Sequence, residues 1–506
     1  MKKLNVFLLV TILVGLSGCS KDENLNDGQS VATDEVQLTG AEWDVVYRMR
    51  NENNRVSIEE ATQFANDVIG FLDGESAVKS GTARSISSIG ALVSKGMQTV
   101  ALKSSDGTNV EIPDTVAYIF NFGDEEGYAI VSADTRIEDP ILAYTGGGKL
   151  LDTIDNPGVI LFLEGTEDYV VHSIVEAEQK RDSLIGSIID KLNGENESET
   201  KAINPRDYLL DEQSFRVTTT GTWSTISRVY PLSPVEWGQG NNNNEPFWRN
   251  VRYKNCTAGT SPAGCVAVAI AHIMSYWKYP ASINGKNFNW TELNRYTGDV
   301  SSIRLNNYKT WNWTDRISAA PSAIQTQAAN LMENIGSKIG MKYSCGVSEA
   351  NTANAVSYLR TIGYQGGGSG IEYNYNTIVA SLDKNQPVII RGDSYKTTKK
   401  YLWGLITSSS YSNGHAWVID GYLNRRQTVT TTVELILRGK VTGRSTSITY
   451  NYSNYLHHNW GWHGTDNGYY VSGSFDSNAT AVASDTKSGE EGNFQYEVKI
   501  FPYISR

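Results

Sequence analysis

The chain has 506 residues and carries 44 Lys and Arg against 55 Asp and Glu, which gives a formal net charge of −11. A chain of this length exceeds what one hydrophobic core usually supports, so the sequence predicts two or three domains. The Lys and Arg residues form no cluster along the sequence. This argues against nucleic acid as a partner, and against charge-driven docking on an anionic membrane.

The N-terminus has the layout of an export signal. Lys2 and Lys3 precede an apolar run over residues 4–16 that is too short to cross a membrane comfortably. The tetrapeptide ending at Cys19, Leu-Ser-Gly-Cys, resembles a bacterial lipobox, where cleavage precedes the cysteine and the cysteine is lipidated. We therefore expect residues 1–18 to be a lipoprotein signal peptide. An ordinary secretory signal that ends near a cysteine is the alternative.

This signal implies an exported protein, held at the outer membrane or cell surface through lipid on Cys19 or released after processing. Three cysteines then remain, namely Cys256, Cys265 and Cys345. An odd count outside the cytoplasm leaves at least one thiol unpaired or paired between molecules. Cys256 and Cys345 either form a disulfide or are separate small hydrophobes, and the second interpretation is preferred. No CxxC or zinc spacing occurs, so neither a metal nor an organic cofactor is expected.

Five segments are predicted in chain order: the signal peptide, a tether, a small α+β domain, a linker and a large C-terminal domain. Their bounds are 1–18, 19–45, 46–192, 193–214 and 215–506. The linker is polar and charged without periodicity. An exposed linker is a preferred place for proteolysis, so it is also the predicted processing region.

Within the small domain, Ser57 followed by Glu60 predicts a capped amphipathic helix. Its apolar face consists of Ala61, Phe64, Ala65, Val68 and Phe71. The rest is read as a loop or loose hairpin over 74–109, a strand, turn and strand over 115–134, and apolar helical stretches over 158–163 and 168–192.

Cys265 precedes a run, VAVAIAHIMSYW, whose apolar residues fill nearly all sides of a predicted helix that ends before Pro280. The residues before it place Cys265 in the first helical turn. Free N–H groups and the helix dipole stabilise a thiolate there, so the position suits a nucleophile. By this feature alone, a small buried hydrophobe is the commoner explanation of such a cysteine and is preferred.

Four further residues offer the chemistry that a thiolate needs, although each has a purely structural alternative. His415 opens a short apolar strand and could act as general base, or be a satisfied core histidine. Asn459 and Trp460 could orient and cover that imidazole, or form a packed strand turn. Gln239 lies in a Gly-rich loop and could donate to an oxyanion.

The order Gln239, Cys265, His415, Asn459 is that of a papain-like cysteine protease. The segments AGCVAVAIAHIMSYWKYP, NGHAWVIDGY and NWGWHG resemble the streptopain family of bacterial cysteine peptidases, family C10, over roughly residues 225–480. Residues 50–190 are similar to the pro-segment of that family. The resemblance implies a nucleophile at Cys265, a base at His415 and an oxyanion donor at Gln239, with Asn459 and Trp460 supporting the histidine.

The resemblance also implies an α+β fold, in which a helical half carries Cys265 and an antiparallel β-sheet half carries His415. The predicted function is a cysteine endopeptidase made as a zymogen, with protein or peptide substrates and its own pro-domain as intramolecular inhibitor. The alternatives are an inactive papain-like surface binding protein and a transglutaminase-like acyl transferase.

Three departures from the family pattern are visible. His272 stands where the family usually has Gln, and is read as helix packing. Residues 241–244 are all Asn, where the family has Pro-Tyr-Asn. The stretch between Asp420 and Asn459 is much longer than the family's short hairpin. It is predicted to form an extra strand pair near the cleft.

Overall fold

The computed structural model describes about two thirds of the chain, with gaps. The described residues are 39, 42, 45, 54–73, 81, 83–94, 115–123, 125–150, 154, 156–193, 214–239, 261–298, 320–392, 398–401, 406–409, 414–437, 440–476 and 498–506. None of the helices in these ranges is long and apolar enough to cross a membrane.

The described elements mix helices with mainly antiparallel strands. The helices are α1 Ile58–Asp73, α2 Pro157–Asn193, α3 Cys265–Trp277, α4 Trp290–Gly298, α5 Ser322–Ile339, α6 Thr352–Thr361 and α7 Tyr375–Leu382, with a 3₁₀ turn at Ser472–Phe475. The strands are β1 Ile86–Val93, β2 Thr115–Phe122, β3 Tyr128–Ser132, β4 Ile141–Thr145, β5 Ser214–Val229, β6 Ser282–Ile283, β7 Lys286–Asn287, β8 Ile371–Glu372, β9 Val388–Gly392, β10 Thr398–Tyr401, β11 Ile406–Ser409, β12 His415–Leu437, β13 Lys440–Asn459, β14 Gly468–Val471 and β15 Lys499–Phe501.

One sheet joins the N-terminal and C-terminal parts of the molecule. Its order is β1-β2-β3-β4-β14-β13-β12-β9-β15-β8, with β5 added beside β12. The junction is the antiparallel pairing of β4 with β14, where Tyr144 lies opposite Tyr469. The predicted α+β class is confirmed, whereas the sequence did not predict that the two parts share a sheet.

The two faces of this sheet are buried against different helices. In β12, Trp417 and Ile419 belong to a core that also contains the apolar residues of β1–β4 and α2. Ala416 and Val418 point the other way, into a core built on α3, α5 and α6. Successive residues of a strand face opposite sides, so the sheet separates the core that contains β1–β4 and α2 from the core of the helical half.

The predicted capping box of α1 is confirmed. The Ser57 N–H donates to the Glu60 carboxylate at 2.9 Å, and the Glu60 N–H donates to Ser57 Oγ at 3.2 Å. Ala61, Ala65 and Val68 are buried as predicted, but Phe71 is 54% exposed. Phe71 instead lies edge-on to Tyr144, with ring centroids 5.7 Å apart.

Three sequence expectations change in the structure. Residues 86–93, read as part of a loop or loose hairpin, form strand β1 against β2. The two helical stretches predicted in residues 158–192 are one continuous helix, α2. The extra strand pair is confirmed as the long extension of β12 and β13, and it gains a third strand, β5, which the sequence did not predict.

Candidate active site

Cys265 is the first residue of α3, as predicted. The helix is buried along its next ten residues, and it packs beneath β12. Gly264 immediately before it has φ +90°, a left-handed conformation that disfavours side chains. A Cβ at Gly264 would lie 2.7 Å from the Met341 side chain and 2.9 Å from the Ser348 carbonyl. Glycine is therefore required for the chain to turn into Cys265 at the start of α3.

The thiol does not have the lowered pKa that the sequence argument predicted. Burial raises the pKa of Cys265, and the charge of Glu349 adds to this effect. Backbone N–H groups of Ala416, Val266 and Cys265 itself act in the opposite direction. In this conformation desolvation outweighs the helix terminus, because no imidazole is paired with the sulfur.

A backbone hydrogen bond holds Gln239 close to Cys265. The Ala263 N–H donates to the Gln239 carbonyl at 2.9 Å, two residues before Cys265. The Gln239 side chain is partly exposed, and within the described residues it makes no hydrogen bond. It is therefore available to a ligand beside the free N–H groups that begin α3.

His415 is the first residue of β12, but its ring faces away from Cys265. The imidazole is 4% exposed and stacks on Trp417, with centroids 5.5 Å apart. Its Nε2 is 2.9 Å from the Trp460 carbonyl, an acceptor, so Nε2 carries the proton. Burial lowers the pKa of His415 to about 4. Among the described residues, no hydrogen bond joins His415 to Cys265.

Helix α2 of the N-terminal part covers the site where His415 is held. A Cβ at Gly158 would lie 2.2 Å from the Trp460 ring, and a Cβ at Gly392 would lie 2.3 Å from Leu161. Gly392 is paired with His415 across β9 and β12. The close approach at both glycines shows that α2 is in direct van der Waals contact with the residues around the imidazole.

Asn459 and Trp460 have different contacts from each other. The Asn459 side chain donates to the Val235 carbonyl at 2.8 Å and does not bond to His415. Trp460 provides the carbonyl for His415 and is fully buried. In this conformation the predicted histidine-orienting contact is thus made by the backbone of Trp460, and Asn459 instead holds the irregular segment that leads from Val235 to Gln239.

Asp466 is a buried acid that the sequence analysis missed. One carboxylate oxygen accepts from Asn156 Nδ2 at 3.1 Å, and Gly148 lies close enough that a Cβ there would be 2.6 Å from the other. Burial raises the pKa of Asp466 to about 7. Asn156 and Gly148 belong to the N-terminal part, so this acid lies between the two parts of the molecule. Its left-handed φ of +64° is not readable from sequence.

The structure describes two of the four cysteines. Cys265 is a free thiol, whereas Cys345 is disulfide-bonded. The preferred interpretation of Cys345 as an isolated small hydrophobe is therefore wrong. Cys256, its partner in the other hypothesis, lies outside the described residues, as does Cys19. Within the described part of the chain, no group of three or more His, Cys, Asp or Glu residues is placed to hold a metal ion.

Comparison with known families assigns both parts of the chain. Residues 237–470 match the Peptidase C10 family, and residues 53–170 match the Spi protease inhibitor family. The chain thus contains a C10 cysteine peptidase domain preceded by a Spi-type inhibitor region, and the resemblance read from the motifs is confirmed. No curated protein matches the chain.

Two solved structures from Prevotella intermedia are similar to this chain. A prointerpain A fragment is 18% identical with a TM-score of 0.42, and the match covers 77% of this chain and 96% of the fragment. Active wild-type interpain A cysteine protease is 22% identical with a TM-score of 0.31, and the match covers 49% of this chain and 87% of that one.

Proposed function

We propose that this protein is a cysteine endopeptidase made as a zymogen, with Cys265 as nucleophile and His415 as general base. The observation that carries the proposal is the convergence at the start of α3. Cys265 begins that helix, the Gln239 carbonyl is bonded to Ala263, and the Ala416 N–H, next to His415, lies against the thiol. The proposed nucleophile Cys265, the proposed oxyanion donor Gln239 and the start of the strand that bears His415 therefore lie close together in space.

In the proposed reaction, His415 takes the proton of the Cys265 thiol, and the thiolate attacks the peptide carbonyl and forms a C–S bond. Gln239 and the Cys265 N–H donate to the resulting oxyanion. The C–N bond then breaks as His415 gives its proton to the leaving amine. His415 next takes a proton from water, the hydroxide attacks the thioester, the C–S bond breaks, and the proton on His415 returns to the sulfur.

The described conformation supports latency rather than activity. His415 lies on the α2 side of the sheet, whereas α3 and Cys265 lie on the other side. The base must leave the Trp460 carbonyl before it can reach the sulfur. Gly414 just before it is exposed, so the chain can turn there without disrupting a core. Removing α2 would open the space around Trp460 and Gly392 into which His415 is now packed.

The test of activity uses the chain cut within residues 194–213 by an added protease and freed of its N-terminal fragment, and it compares the wild type with Cys265→Ala and His415→Ala on a denatured protein substrate. Both variants should lose at least about 10³-fold in rate, as expected for a nucleophile and its base. Cleaved bonds are mapped by mass spectrometry in H₂¹⁸O, so hydrolysis places ¹⁸O in each new carboxylate. A new amide to an added amine would instead identify an acyl transferase. Full activity of Cys265→Ala would disprove the peptidase assignment.

Latency is tested by separating the two parts. The full chain is cut within residues 194–213 by an added protease, and hydrolysis is measured before and after the N-terminal fragment is removed. We expect activity to rise on removal and to fall when residues 50–200 are added back. An unchanged rate at saturating fragment would mean that this domain has another role.

We also propose export and lipid attachment at Cys19, supported by the signal-like N-terminus and the lipobox-like tetrapeptide. Labelled fatty acid should be incorporated into the wild-type chain and not into Cys19→Ala. An unlabelled wild-type chain that is still exported would instead indicate an ordinary secretory signal.

A further inference from the structure

The segment that carries Gln239 is held by a turn from the far end of the domain. Residues 459–467 contact it at successive positions: Asn459 Nδ2 donates to the Val235 carbonyl at 2.8 Å, and Asn467 Nδ2 lies 3.4 Å from Glu236 Oε1. The ring of His463 then packs on Gly238, where an added Cβ would lie 2.1 Å from His463 Nε2. Of these three contacts made by the turn, the one at His463 is nearest to Gln239 along the chain.

Hydrogen bonds within the turn restrain its backbone, and they therefore restrain the position of His463. The Trp460 N–H donates to Asn467 Oδ1 at 3.0 Å, and the Thr465 N–H donates to the Trp462 carbonyl at 3.0 Å. His463 has φ +57° in this turn, a left-handed conformation that histidine adopts more readily than most residues.

A second histidine holds the same segment from the nucleophile helix. His272, two turns after Cys265 in α3, is 1% exposed, and its Nε2 lies 3.2 Å from the Trp237 carbonyl. Because a carbonyl only accepts, Nε2 donates. Burial lowers the pKa of His272 to about 4, with smaller effects from Asp420, which raises it, and His463, which lowers it further. The ring is thus neutral and keeps the tautomer that this bond needs across neutral pH.

We propose that His272 and His463 are positioning residues for the oxyanion donor, which fix Trp237 and Gly238 so that Gln239 stands beside the Cys265 N–H. The inference rests on the proposed peptidase function, since it assigns Gln239 the role of donor. Oxyanion donors act only when held at the place where charge develops, and a displacement of about 1 Å can cost about 100-fold in rate. Gly238 is needed because any side chain there would collide with the His463 ring.

The first experiment separates positioning from general loss of structure. The full chain carries His463→Ala or His272→Leu, and it is cut within residues 194–213 and freed of its N-terminal fragment before the assay. Thr465→Ala, an exposed change in the same turn, is the control. We expect kcat on a peptide to fall about 10- to 100-fold with KM within about twofold. Alkylation of Cys265 by iodoacetamide, which forms no oxyanion, should keep its rate.

Conservative variants test what each histidine supplies. His463→Phe keeps a planar ring on Gly238, and His272→Gln keeps a donor to the Trp237 carbonyl. Both should retain kcat within about threefold. If His463→Ala and His272→Leu leave kcat unchanged, or slow alkylation as much as hydrolysis, the positioning role is wrong.

The second experiment uses the collision at Gly238. Gly238→Ala should lower kcat, and adding His463→Gly should recover most of the loss, because the ring that the new methyl meets is gone. In a Gln239→Ala background, which itself should lose about 10²- to 10³-fold, His463→Ala should have little further effect. Additive losses would overturn the inference. Hydrolysis that survives in Cys265→Ala would instead overturn the proposed function, whatever the two histidines do.

Discussion

His415 and Asp466 are two buried titratable groups. Protonation of one weakens the binding of the N-terminal part, and protonation of the other strengthens it. The pKa of His415 is lowered to about 4 by burial, so the docked state disfavours its charged form. The pKa of Asp466 is raised to about 7 by burial, so the docked state disfavours its carboxylate. Acid therefore weakens docking through His415 and strengthens it through Asp466.

The sign for each group follows from linkage. Asp466 binds a proton in the docked state up to about pH 7, but near pH 4 once it is exposed. Its contribution to docking is thus complete below about pH 4 and is lost as pH rises to about 7. The contribution of His415 is complete above about pH 6.5, its ordinary pKa, and is lost as pH falls towards 4. Between about pH 4 and 6.5 the two contributions largely cancel.

Asp466→Asn should remove the pH-dependent contribution of Asp466 to docking and leave that of His415. We expect the affinity of the N-terminal fragment for the variant peptidase domain to fall on acidification from pH 6.5 to 4.5, by up to about tenfold per pH unit. The wild-type affinity should change much less. Fluorescence titration of the separated fragment at several pH values measures both. Parallel curves for the two proteins would show that Asp466 does not titrate at the interface.

At the residue scale, the sequence predicted which elements carry Cys265 and His415, but it did not predict the contacts of their side chains. The apolar run after Cys265 and the order of the motifs predicted the start of α3 and the start of β12 correctly. An ionised thiol is disfavoured in this conformation, because burial raises the pKa of Cys265 and the His415 ring is bonded to the Trp460 carbonyl instead of the sulfur. The position of the His415 ring is set by its bond to the Trp460 carbonyl and by the packing of α2, which are contacts between distant parts of the chain.

Helix α2 of the N-terminal part packs directly on the C-terminal part of the molecule. Gly158 and Gly165 lie two turns apart on one face of the helix, and both approach the peptidase domain. A Cβ at Gly165 would lie 2.0 Å from the Ser474 carbonyl. Phe162, on the same face, lies edge-on to Tyr470 with centroids 4.7 Å apart. Small residues let this helix lie directly on the backbone and rings of its neighbour.

Gly158→Ala should therefore release latency while leaving Cys265, His415 and Gln239 unchanged. The new methyl would overlap the Trp460 ring, and overpacking of this kind costs about 1–3 kcal/mol. We expect the full chain to become active faster, and the added fragment to inhibit about 5- to 150-fold less strongly.

Gly186→Ala is the matched control for this change. Gly186 is exposed on the same helix, with nothing within 4 Å of an added Cβ. Alanine there should favour the helix by about 0.5–1 kcal/mol and leave inhibition intact. Equal behaviour of the two variants would show that α2 does not pack on Trp460 in the latent protein.

Strand β5 narrows the region in which maturation can occur. It pairs with β12 from Tyr422 opposite Val229 to Ile436 opposite Ser214. A strand held along its length is a poor protease substrate, because cleavage requires local unfolding. The mature N-terminus should therefore fall within residues 194–213. Intact mass and N-terminal sequencing of the processed protein will test this, and a cut between 215 and 229 would contradict the pairing.

The extension of β12 and β13 was predictable, whereas β5 was not. A run of Thr and Val over residues 428–433, followed by a second Ser- and Thr-rich run, is typical of a hairpin. The segment 214–229 is equally rich in Ser and Thr, but nothing local in it identifies a partner. Its register is fixed by β12, roughly two hundred residues away, and no short-range pattern encodes such a contact.

On the scale of the whole molecule, one sheet contains strands of both the inhibitor region and the peptidase domain. The bonds between β4 and β14 cross from the inhibitor region to the peptidase domain at three residue pairs, from Gly468 with Thr145 to Tyr470 with Ala143. Release of the N-terminal part must break this pairing as well as the contacts of α2. It leaves β14 as the edge of the mature sheet.

Hydrogen exchange should detect that edge. The Tyr469 region should be protected in the full chain and exchange faster once the N-terminal fragment is removed, whereas Val418, inside the helical-half core, should stay protected in both. Exchange followed by proteolysis and mass spectrometry provides the comparison. Unchanged protection around Tyr469 would mean that the strand is covered by something other than β4.

The same pairing sets an order of events at the ribosome. β4 is made first, and its partner β14 follows roughly three hundred residues later, which at about 5–20 residues per second is a delay of about 15–60 s. During that interval β1–β4 must hold together with Tyr144 on an open strand edge. Such an edge is the place where a nascent chain pairs wrongly with another copy or is bound by a chaperone. Expression yield should therefore depend on the inhibitor region's own stability well before any peptidase domain exists for it to inhibit.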